Sequence, residues 1–189
     1  MNNEQYLVVV SGPSGSGKDT VVSRLMQRHP EIETSVSATT REKRPGEEEG
    51  VNYYYLTVPA FEKKIADGEI LEYTRYCGNY YGTPRSEVDR RIDAGITVVL
   101  VIEVVGAGNI KRLYPGATTI FVQPPSYAEL EARLRGRGTE TEQAIQKRLA
   151  RAVEEMGYAS DYDETVVNDD ADRCAEEIYQ LIRRRQQAT

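Results

Sequence analysis

Short apolar runs alternate with amphipathic stretches along most of the chain. Runs rich in Val, Ile and Leu at 6–10, 97–102 and 118–122 are typical of strands buried on both faces of a parallel sheet. Shorter strands are predicted at 34–37, 69–76 and 164–167, with β-forming residues over 51–57. Helices are predicted at 18–28, 59–67, 139–156 and 171–185, with another beginning at Ser126. Glycine-rich or polar residues predict a loop at 38–50 and a turn at 78–82.

Strands that alternate with helices predict an α/β fold built on a parallel sheet. The alternation breaks over about 35–95, where tyrosines are dense, so we expect this segment to form an inserted lobe. A chain of 189 residues fits one domain with such an insertion. It can bury roughly 70% of the surface that its unfolded form exposes.

Arginine dominates the basic residues of an acidic chain. The formal net charge is −6, yet the chain has 18 arginines and only 6 lysines. The acidic balance argues against a general nucleic-acid binder. Arginine is suited to bidentate contacts with phosphate or carboxylate, so the skew indicates a small, local anion site. Surface arginines paired with the 30 acids are the alternative, and composition alone favours it.

Several protein classes are excluded by what the chain lacks. Its N-terminal residues resemble no signal peptide, and its longest apolar run, 96–102, is far shorter than the roughly 20 residues of a membrane span. Two cysteines, Cys77 and Cys174, favour a reducing compartment, so we expect a cytoplasmic protein. The single histidine, His29, precedes a proline at a predicted helix end, which argues against a Ser-His-Asp triad or a histidine metal cluster.

A glycine-rich turn lies between the first predicted strand and the first predicted helix. Its sequence matches a Walker A loop in spacing and context: Gly12, Pro13, Ser14, Gly15, Ser16, Gly17 and Lys18. The glycines let consecutive backbone N–H groups point inward, and Lys18 follows where it reaches the β- and γ-phosphates of a nucleotide. An ordinary strand-to-helix turn is the alternative, but lysine at this position favours a phosphate site.

The residue after the lysine departs from the Walker pattern. Serine or threonine normally stands there and its hydroxyl binds Mg²⁺, whereas this chain has Asp19 followed by Thr20. A carboxylate is a suitable ligand for Mg²⁺, so Asp19 is a candidate metal ligand. The alternative role is an acid in the first helical turn that interacts favourably with the helix dipole.

Six further motifs, in order and with matching spacing, resemble the guanylate kinases, a family of P-loop nucleoside monophosphate kinases. They are 35–41 (SVSATTR), 44–47 (RPGE), 50–53 (GVNY), 78–82 (GNYYG), 136–142 (GRGTETE) and 167–170 (VNDD). The resemblance covers about residues 6–180. It implies Mg²⁺-dependent transfer of the ATP γ-phosphoryl group to GMP, with ATP and GMP as substrates and no nucleic-acid or membrane partner. It leaves the oligomeric state open.

The resemblance also implies an architecture and an acceptor site. The family has a three-layer P-loop NTPase core, here about 1–34, 96–125 and 158–189. An inserted mixed-β GMP-binding lobe then spans about 35–95 and a helical lid about 126–157. Matching residues for the GMP phosphate are Ser37, Arg41, Arg44, Tyr53 and Tyr81. Guanine would be read by Glu72, Thr83 and Glu103, the last two standing where the family usually has serine and aspartate.

The motifs at 136–142 and 167–170 complete the implied site. Lid arginines Arg133, Arg137 and Arg148 match those that close over the phosphates in the family, and Asn168 joins Asp19 and Thr20 with the loop as ATP-binding residues. The implied catalytic set is Lys18, Arg41, Arg133, Arg137 and Arg148. Each arginine taken alone is more often a solvated charge; the full motif set favours function.

One further departure concerns the metal. The family has an acidic residue two positions before Glu103, where this chain has Val101. We hypothesise that the metal-organising carboxylate has moved from that strand to Asp19; coincidental drift at both positions is the alternative. The pair Lys18-Asp19 also resembles a related kinase of ribose 1,5-bisphosphate. A third alternative is a guanylate-kinase-like module that binds phosphorylated protein segments without catalysis.

Overall fold

The computed structural model describes residues 3–76, 78–136 and 141–188. Within them the chain forms nine strands: β1 (Leu7–Ser11), β2 (Ile32–Thr34), β3 (Ala38–Thr39), β4 (Tyr54–Tyr55), β5 (Ile70–Tyr76), β6 (Asn79–Pro84), β7 (Thr97–Val101), β8 (Thr118–Gln123) and β9 (Glu164–Val167). The same residues form seven helices: α1 (Lys18–Arg28), α2 (Val58–Ala66), α3 (Arg85–Asp93), α4 (Val104–Leu113), α5 (Tyr127–Gly136), α6 (Glu142–Met156) and α7 (Ala171–Gln187).

A parallel sheet forms the centre of the core. Its strand order is β2-β7-β1-β8-β9, and every residue of the middle strand β1 is buried. Helices α1 and α7 pack on one face, and α3 and α4 pack on the other. The core therefore has three layers, which confirms the predicted α/β fold with a parallel sheet. The carboxyl ends of β1, β7, β8 and β9 meet at one edge, where ligands bind in open α/β sheets.

A second, mixed sheet lies beside the core. Its strand order is β4-β3-β6-β5; β3 pairs with β4 in parallel and with β6 in antiparallel orientation, and β5 and β6 form an antiparallel pair. Helix α2 covers it with Phe61, which stacks on Tyr80 at 5.0 Å between ring centroids. The sheet fixes the side chains that β5 and β6 present toward the core.

Helices α5 and α6 form a pair with a small apolar core of their own. Leu130 and Leu134 of α5 pack with Ile145, Leu149 and Ala152 of α6. Ser126 caps α5 as its spacing predicted, since its hydroxyl accepts the N–H of Glu129 at 3.1 Å. The helix expected to begin at Thr139 begins instead at Glu142 and is capped by Thr141, whose hydroxyl accepts the N–H of Ala144. Thr139 lies outside the described residues.

The short strands are where the sequence predictions fail. The strand predicted at 34–37 is Ile32–Thr34, because those residues are in register with β7. The predicted loop at 38–50 contains β3, and most of the predicted turn at 78–82 is strand β6. Both strands form through pairing with distant parts of the chain, for which local composition gives no signal.

Two helices were absent from the sequence predictions. Helix α3 has a polar sequence with little apolar periodicity, and its Arg91 and Glu87, both buried, form an ion pair of 2.7 Å. Helix α4 contains Gly106 and Gly108, which disfavour helices in general. Tertiary packing therefore overrides the local preference in both.

Candidate active site

The glycine-rich turn connects β1 to α1 at the carboxyl edge of the parallel sheet. Gly12, Gly15 and Gly17 have positive φ angles, and Gly17 is the N-cap of α1. A Cβ on Gly12 would lie 2.1 Å from the backbone oxygen of Val122. The backbone N–H groups at this helix N-terminus, with Lys18 as the first residue of α1, form an anion-binding geometry.

Two side chains hold the turn from the side of β9 and α5. The buried Asn168 donates from Nδ2 to the backbone oxygen of Ser16 at 2.7 Å. Arg133 donates to the same oxygen at 3.2 Å and to the backbone oxygen of Asn168 at 3.0 Å. The buried hydroxyl of Ser16 has no hydrogen-bond partner among the described residues. The turn thus contains one buried polar group that the described residues leave without a hydrogen bond.

A cleft of about 270 Å³, hereafter the central cleft, separates the turn from the mixed sheet. It is lined by Lys18, Asp19, Ser37, Tyr53, Glu72, Thr74, Tyr81, Gly82, Val101, Ile102 and Glu103. Seven of the candidate site residues and Val101 therefore face one space, although some come from the core and others from the mixed sheet and its loops. Asp19 and Thr20 are exposed. Asp19 and Val101 line this same cleft, which places the two unusual residues near one another.

Arg41 is held at the edge of the mixed sheet by a carboxylate. Its guanidinium makes two hydrogen bonds to Glu47, of 2.7 and 3.0 Å, and lies 5.5 Å from the ring centre of Tyr53. Glu47 also accepts from the backbone N–H of Arg44 and from the hydroxyl of Tyr55. These donors, Arg41 foremost, lower the pKa of Glu47 to about 2. The ion pair with Glu47 thereby holds the charged Arg41 side chain in one position. The Arg44 side chain, in contrast, is exposed.

Glu72 is a buried acid at the inner end of the central cleft. Its exposed fraction is 7%, and its Oε1 accepts the hydroxyl of Thr83 at 2.6 Å. Burial raises the pKa of Glu72; the Thr83 hydrogen bonds act in the opposite direction, and the charge of Glu103 adds to the rise. Gly106 of α4 lies against it, since a Cβ there would be 2.7 Å from Oε2. A buried carboxylate in a polar cleft is suited to accept hydrogen bonds from a ligand.

Helix α6 brings a second arginine to the turn. Arg148 donates to the hydroxyl of Ser14 from Nη2 at 2.6 Å and from Nε at 3.2 Å. Arg133 and Arg148 thus lie at the glycine-rich turn, while Arg137 lies outside the described residues. Arg135 pairs instead with Glu131 and Glu142 at the protein surface.

Two site residues were missed by sequence reasoning. Glu155 accepts the backbone N–H of Ser14 at 3.2 Å, and Arg151 contacts both Glu155 and Glu103. The helical spacing of Arg148, Arg151 and Glu155 indicates a shared face, but not what that face contacts.

Neither a metal cluster nor a membrane-spanning helix is found among the described residues. No group of three or more His, Cys, Asp or Glu side chains is arranged to hold a metal ion in that part of the chain. In the same ranges, no helix has the length and hydropathy required to span a membrane.

Known proteins resemble this chain over most of its length. The family model described as Guanylate kinase matches residues 4–185. A guanylate kinase of Synechococcus sp. (strain CC9902) is 50% identical over 178 residues, which are 94% of this chain and 95% of the relative. One of Desulfitobacterium hafniense (strain Y51) is 44% identical over 180 residues, 95% of this chain and 90% of the relative. The crystal structure of guanylate kinase from Anaplasma phagocytophilum matches with a TM-score of 0.73 and 33% identity, covering 95% of this chain and 85% of that one.

Proposed function

The chain belongs to the guanylate kinase family, and from this premise we propose that it transfers the γ-phosphoryl group of ATP to GMP, giving ADP and GDP. The observation that carries the proposal is the shared space: Lys18 of the phosphate turn and Glu72 of the mixed sheet line one cleft of about 270 Å³. ATP and GMP bound at these two residues face each other across the cleft, and closure of the lid over them excludes water, which favours transfer over hydrolysis.

The donor binds at the glycine-rich turn. Backbone N–H groups of the turn that are not already bonded and the Lys18 ammonium contact the phosphates, and the Ser16 hydroxyl, which has no partner among the described residues, is available to them. Asn168 fixes the turn through Ser16. Thr20 and Asp19 follow on the first turn of α1.

The acceptor binds across the central cleft. Guanine presents N1–H and an amino group side by side, and the Glu72 carboxylate accepts from both, whereas adenine lacks this donor pair. Thr83 and Glu103 complete the base site. Ser37, Tyr53 and Tyr81 line the cleft toward Arg41, and with Arg41 and Arg44 they bind the GMP phosphate.

Charge neutralisation by arginines and Lys18 supplies the catalysis. Arg41 acts from the acceptor side, and Arg133, Arg137 and Arg148 act from the lid, as arginine fingers do on a transferring phosphoryl group. No covalent intermediate is needed, since positioning and electrostatics dominate this chemistry. In this proposal residues 35–95 are the GMP-binding lobe, 126–157 the lid and the remainder the core of a cytoplasmic enzyme.

The oxygen ligands available in the central cleft suit Mg²⁺ bound in the way that kinases bind it. Mg²⁺ is commonly held by one or two carboxylates together with substrate phosphates, and Asp19 provides one exposed carboxylate in the central cleft beside Lys18. When bound, the ion neutralises phosphate charge. We propose that Asp19 takes the part of the acidic residue that Val101 replaces.

Changing Asp19 tests this exchange. We expect Asp19→Ser to lower kcat by about tenfold or more and to raise the Mg²⁺ concentration for half-maximal activity, because one ligand of the metal is weakened. We expect Val101→Asp to restore part of the loss in the double variant. Steady-state kinetics over a Mg²⁺ series measure both. Full Mg²⁺-dependent activity of Asp19→Ser alone contradicts the exchange.

Gly106 and Gly108 offer a matched pair on α4. We expect Gly106→Ala to raise KM for GMP by about tenfold, because its Cβ displaces the Glu72 carboxylate and weakens a hydrogen bond to the base. A Cβ at Gly108 meets no atom within 4 Å. Gly108→Ala should therefore stabilise the helix by about 0.5–1 kcal/mol without changing KM for GMP. Kinetics with varied GMP and urea unfolding measure these effects. If the two variants have equal KM values for GMP, the absence of a side chain at Gly106 is not what lets Glu72 hold its position.

A coupled assay for ADP formation tests the function itself. We expect phosphorylation of GMP and dGMP and little of AMP. Transfer to ribose 1,5-bisphosphate but not to GMP would favour the related kinase and overturn the proposal. Failure to bind ATP in a calorimetric titration would favour a non-catalytic module.

A further inference from the structure

One face of α6 contacts the phosphate turn through Ser14. Arg148 donates to the Ser14 hydroxyl, and Glu155, two helical turns later, accepts the Ser14 backbone N–H at 3.2 Å. The Glu155 side chain has an exposed fraction of 6%, so this contact lies inside the protein. Both polar groups of Ser14 outside its carbonyl are therefore engaged by the same helix.

Arg151, between them on α6, extends the contact to the acceptor side. Its Nε donates to Glu155 Oε1 at 2.8 Å, and its Nη2 donates to Glu103 Oε2 at 2.7 Å. Glu103 lines the central cleft, and together with Arg151 it lines an adjoining cleft of about 220 Å³. A continuous chain of hydrogen bonds thus runs from the backbone of Ser14 through Glu155 and Arg151 to Glu103.

The charges of this chain depend on one another. Burial raises the pKa of Glu155 and the charge of Glu103 adds to the rise, whereas Arg151 and the Ser14 N–H act in the opposite direction. A guanidinium between two carboxylates holds both in fixed orientation, because its planar fork sets the direction of each hydrogen bond. Without Arg151, Glu155 is a buried charge that lacks its cation, and Glu103 loses the hydrogen bond from the Arg151 guanidinium.

We propose that Arg151 and Glu155 are positioning residues that couple acceptor binding at Glu103 to the geometry of the phosphate turn at Ser14. The inference rests on the proposed function, in which GMP contacts Glu103 and ATP contacts the turn. A base that orders Glu103 also orders Arg151, and through Glu155 it fixes Ser14 and the adjacent Arg148. Because coupling between two sites is reciprocal, ATP at the turn must tighten GMP binding by the same factor as GMP tightens ATP binding.

Calorimetry on the full chain measures this coupling directly. GMP is titrated with and without a saturating non-hydrolysable ATP analogue, with Mg²⁺ present throughout. For the unmodified protein we expect the analogue to tighten GMP binding by roughly tenfold, within the usual range for coupled sites. For Arg151→Met we expect the factor to fall to about two or less.

Arg135 of α5 is the matched control. It also bridges two carboxylates, those of Glu131 and Glu142, but it lies outside the residues lining both clefts. Arg135→Met should therefore keep the full coupling factor. Glu155→Gln should lose coupling as Arg151→Met does, because whichever way the amide turns, its nitrogen faces either Arg151 or the Ser14 N–H and cannot accept that hydrogen bond.

The conservative variant Arg151→Lys addresses folding. Lysine keeps the charge beside Glu155 but lacks the fork that reaches two carboxylates in fixed geometry, so we expect a folded protein with an intermediate coupling factor. Undiminished coupling in Arg151→Met or Arg151→Lys, or no coupling in the unmodified protein, overturns the inference. If the unmodified protein phosphorylates GMP in either case, the proposed function stands; if it neither binds nor phosphorylates GMP, the proposed function fails instead.

Discussion

Glu72→Gln is expected to lower kcat/KM for GMP by about 10³–10⁴-fold while KM for ATP stays within about twofold, because a site built to accept hydrogen bonds loses most of its affinity when one is mismatched. The variant amide presents a donor toward one of the two donors of guanine. The Glu72 side chain is buried and bound to Thr83, so it cannot turn away to water. Steady-state kinetics with each substrate varied measure the effect.

The same substitution is expected to stabilise the free protein. The pKa of Glu72 is raised in the folded state, mainly by burial. Its favourable contribution is therefore complete below the ordinary value of 4.5 and is lost as pH rises through the higher folded value. At pH 7 the ionised carboxylate opposes folding, and glutamine removes that cost, so we expect the free energy of unfolding to rise by about 1 kcal/mol. Urea unfolding at pH 4 and pH 7 should show the difference only at the higher pH.

Glu69→Gln is the matched control, since Glu69 is exposed three residues earlier and pairs with Lys64. It should leave both KM values and stability nearly unchanged. Two results contradict the assignment of Glu72 to the base: normal GMP kinetics in Glu72→Gln, or an equal loss in Glu69→Gln.

The central strands and the first helix were predictable because the local sequence itself carries the signal for them. β1 and β7 are apolar runs with both faces covered, and α1 follows a turn whose glycines and lysine have a fixed spacing. β6 was not predictable in the same way, since a GNYYG segment has turn composition and becomes a strand only by pairing with β3 and β5.

In the candidate site, too, some residues could be predicted from the sequence and others only from contacts between distant parts of the chain. Walker spacing identified Lys18 and the family resemblance implied Glu72, and the structure places both on one cleft. Glu155 gave no such signal, because it meets Ser14 across 141 positions of sequence and on a helix whose surface is mostly charged. Gly106 gave a misleading signal, because glycine disfavours the helix that contains it. The structure explains why glycine stands there: a Cβ on Gly106 would lie 2.7 Å from the Glu72 carboxylate.

Gly12→Ala is expected to destabilise the protein by about 4 kcal/mol or more and to abolish ATP binding. Its Cβ would lie 2.1 Å from the backbone oxygen of Val122, an atom fixed by the parallel sheet that cannot move aside as a side chain can. The turn must then shift from β8, and the N–H groups that face the phosphates shift with it. Urea unfolding and a calorimetric titration with ATP measure the two effects.

Gly68→Ala separates the close approach from backbone strain. Gly68 has a φ of +71°, but a Cβ there meets no atom within 4 Å, so this variant carries only the left-handed penalty of about 1–2 kcal/mol. We expect it to bind ATP normally. If Gly12→Ala is no less stable than Gly68→Ala, or if it binds ATP with unchanged affinity, then the contact between the turn and β8 does not set the loop geometry. The larger loss in Gly12→Ala is required because only there does the strand that supports the phosphate turn also exclude a side chain from it.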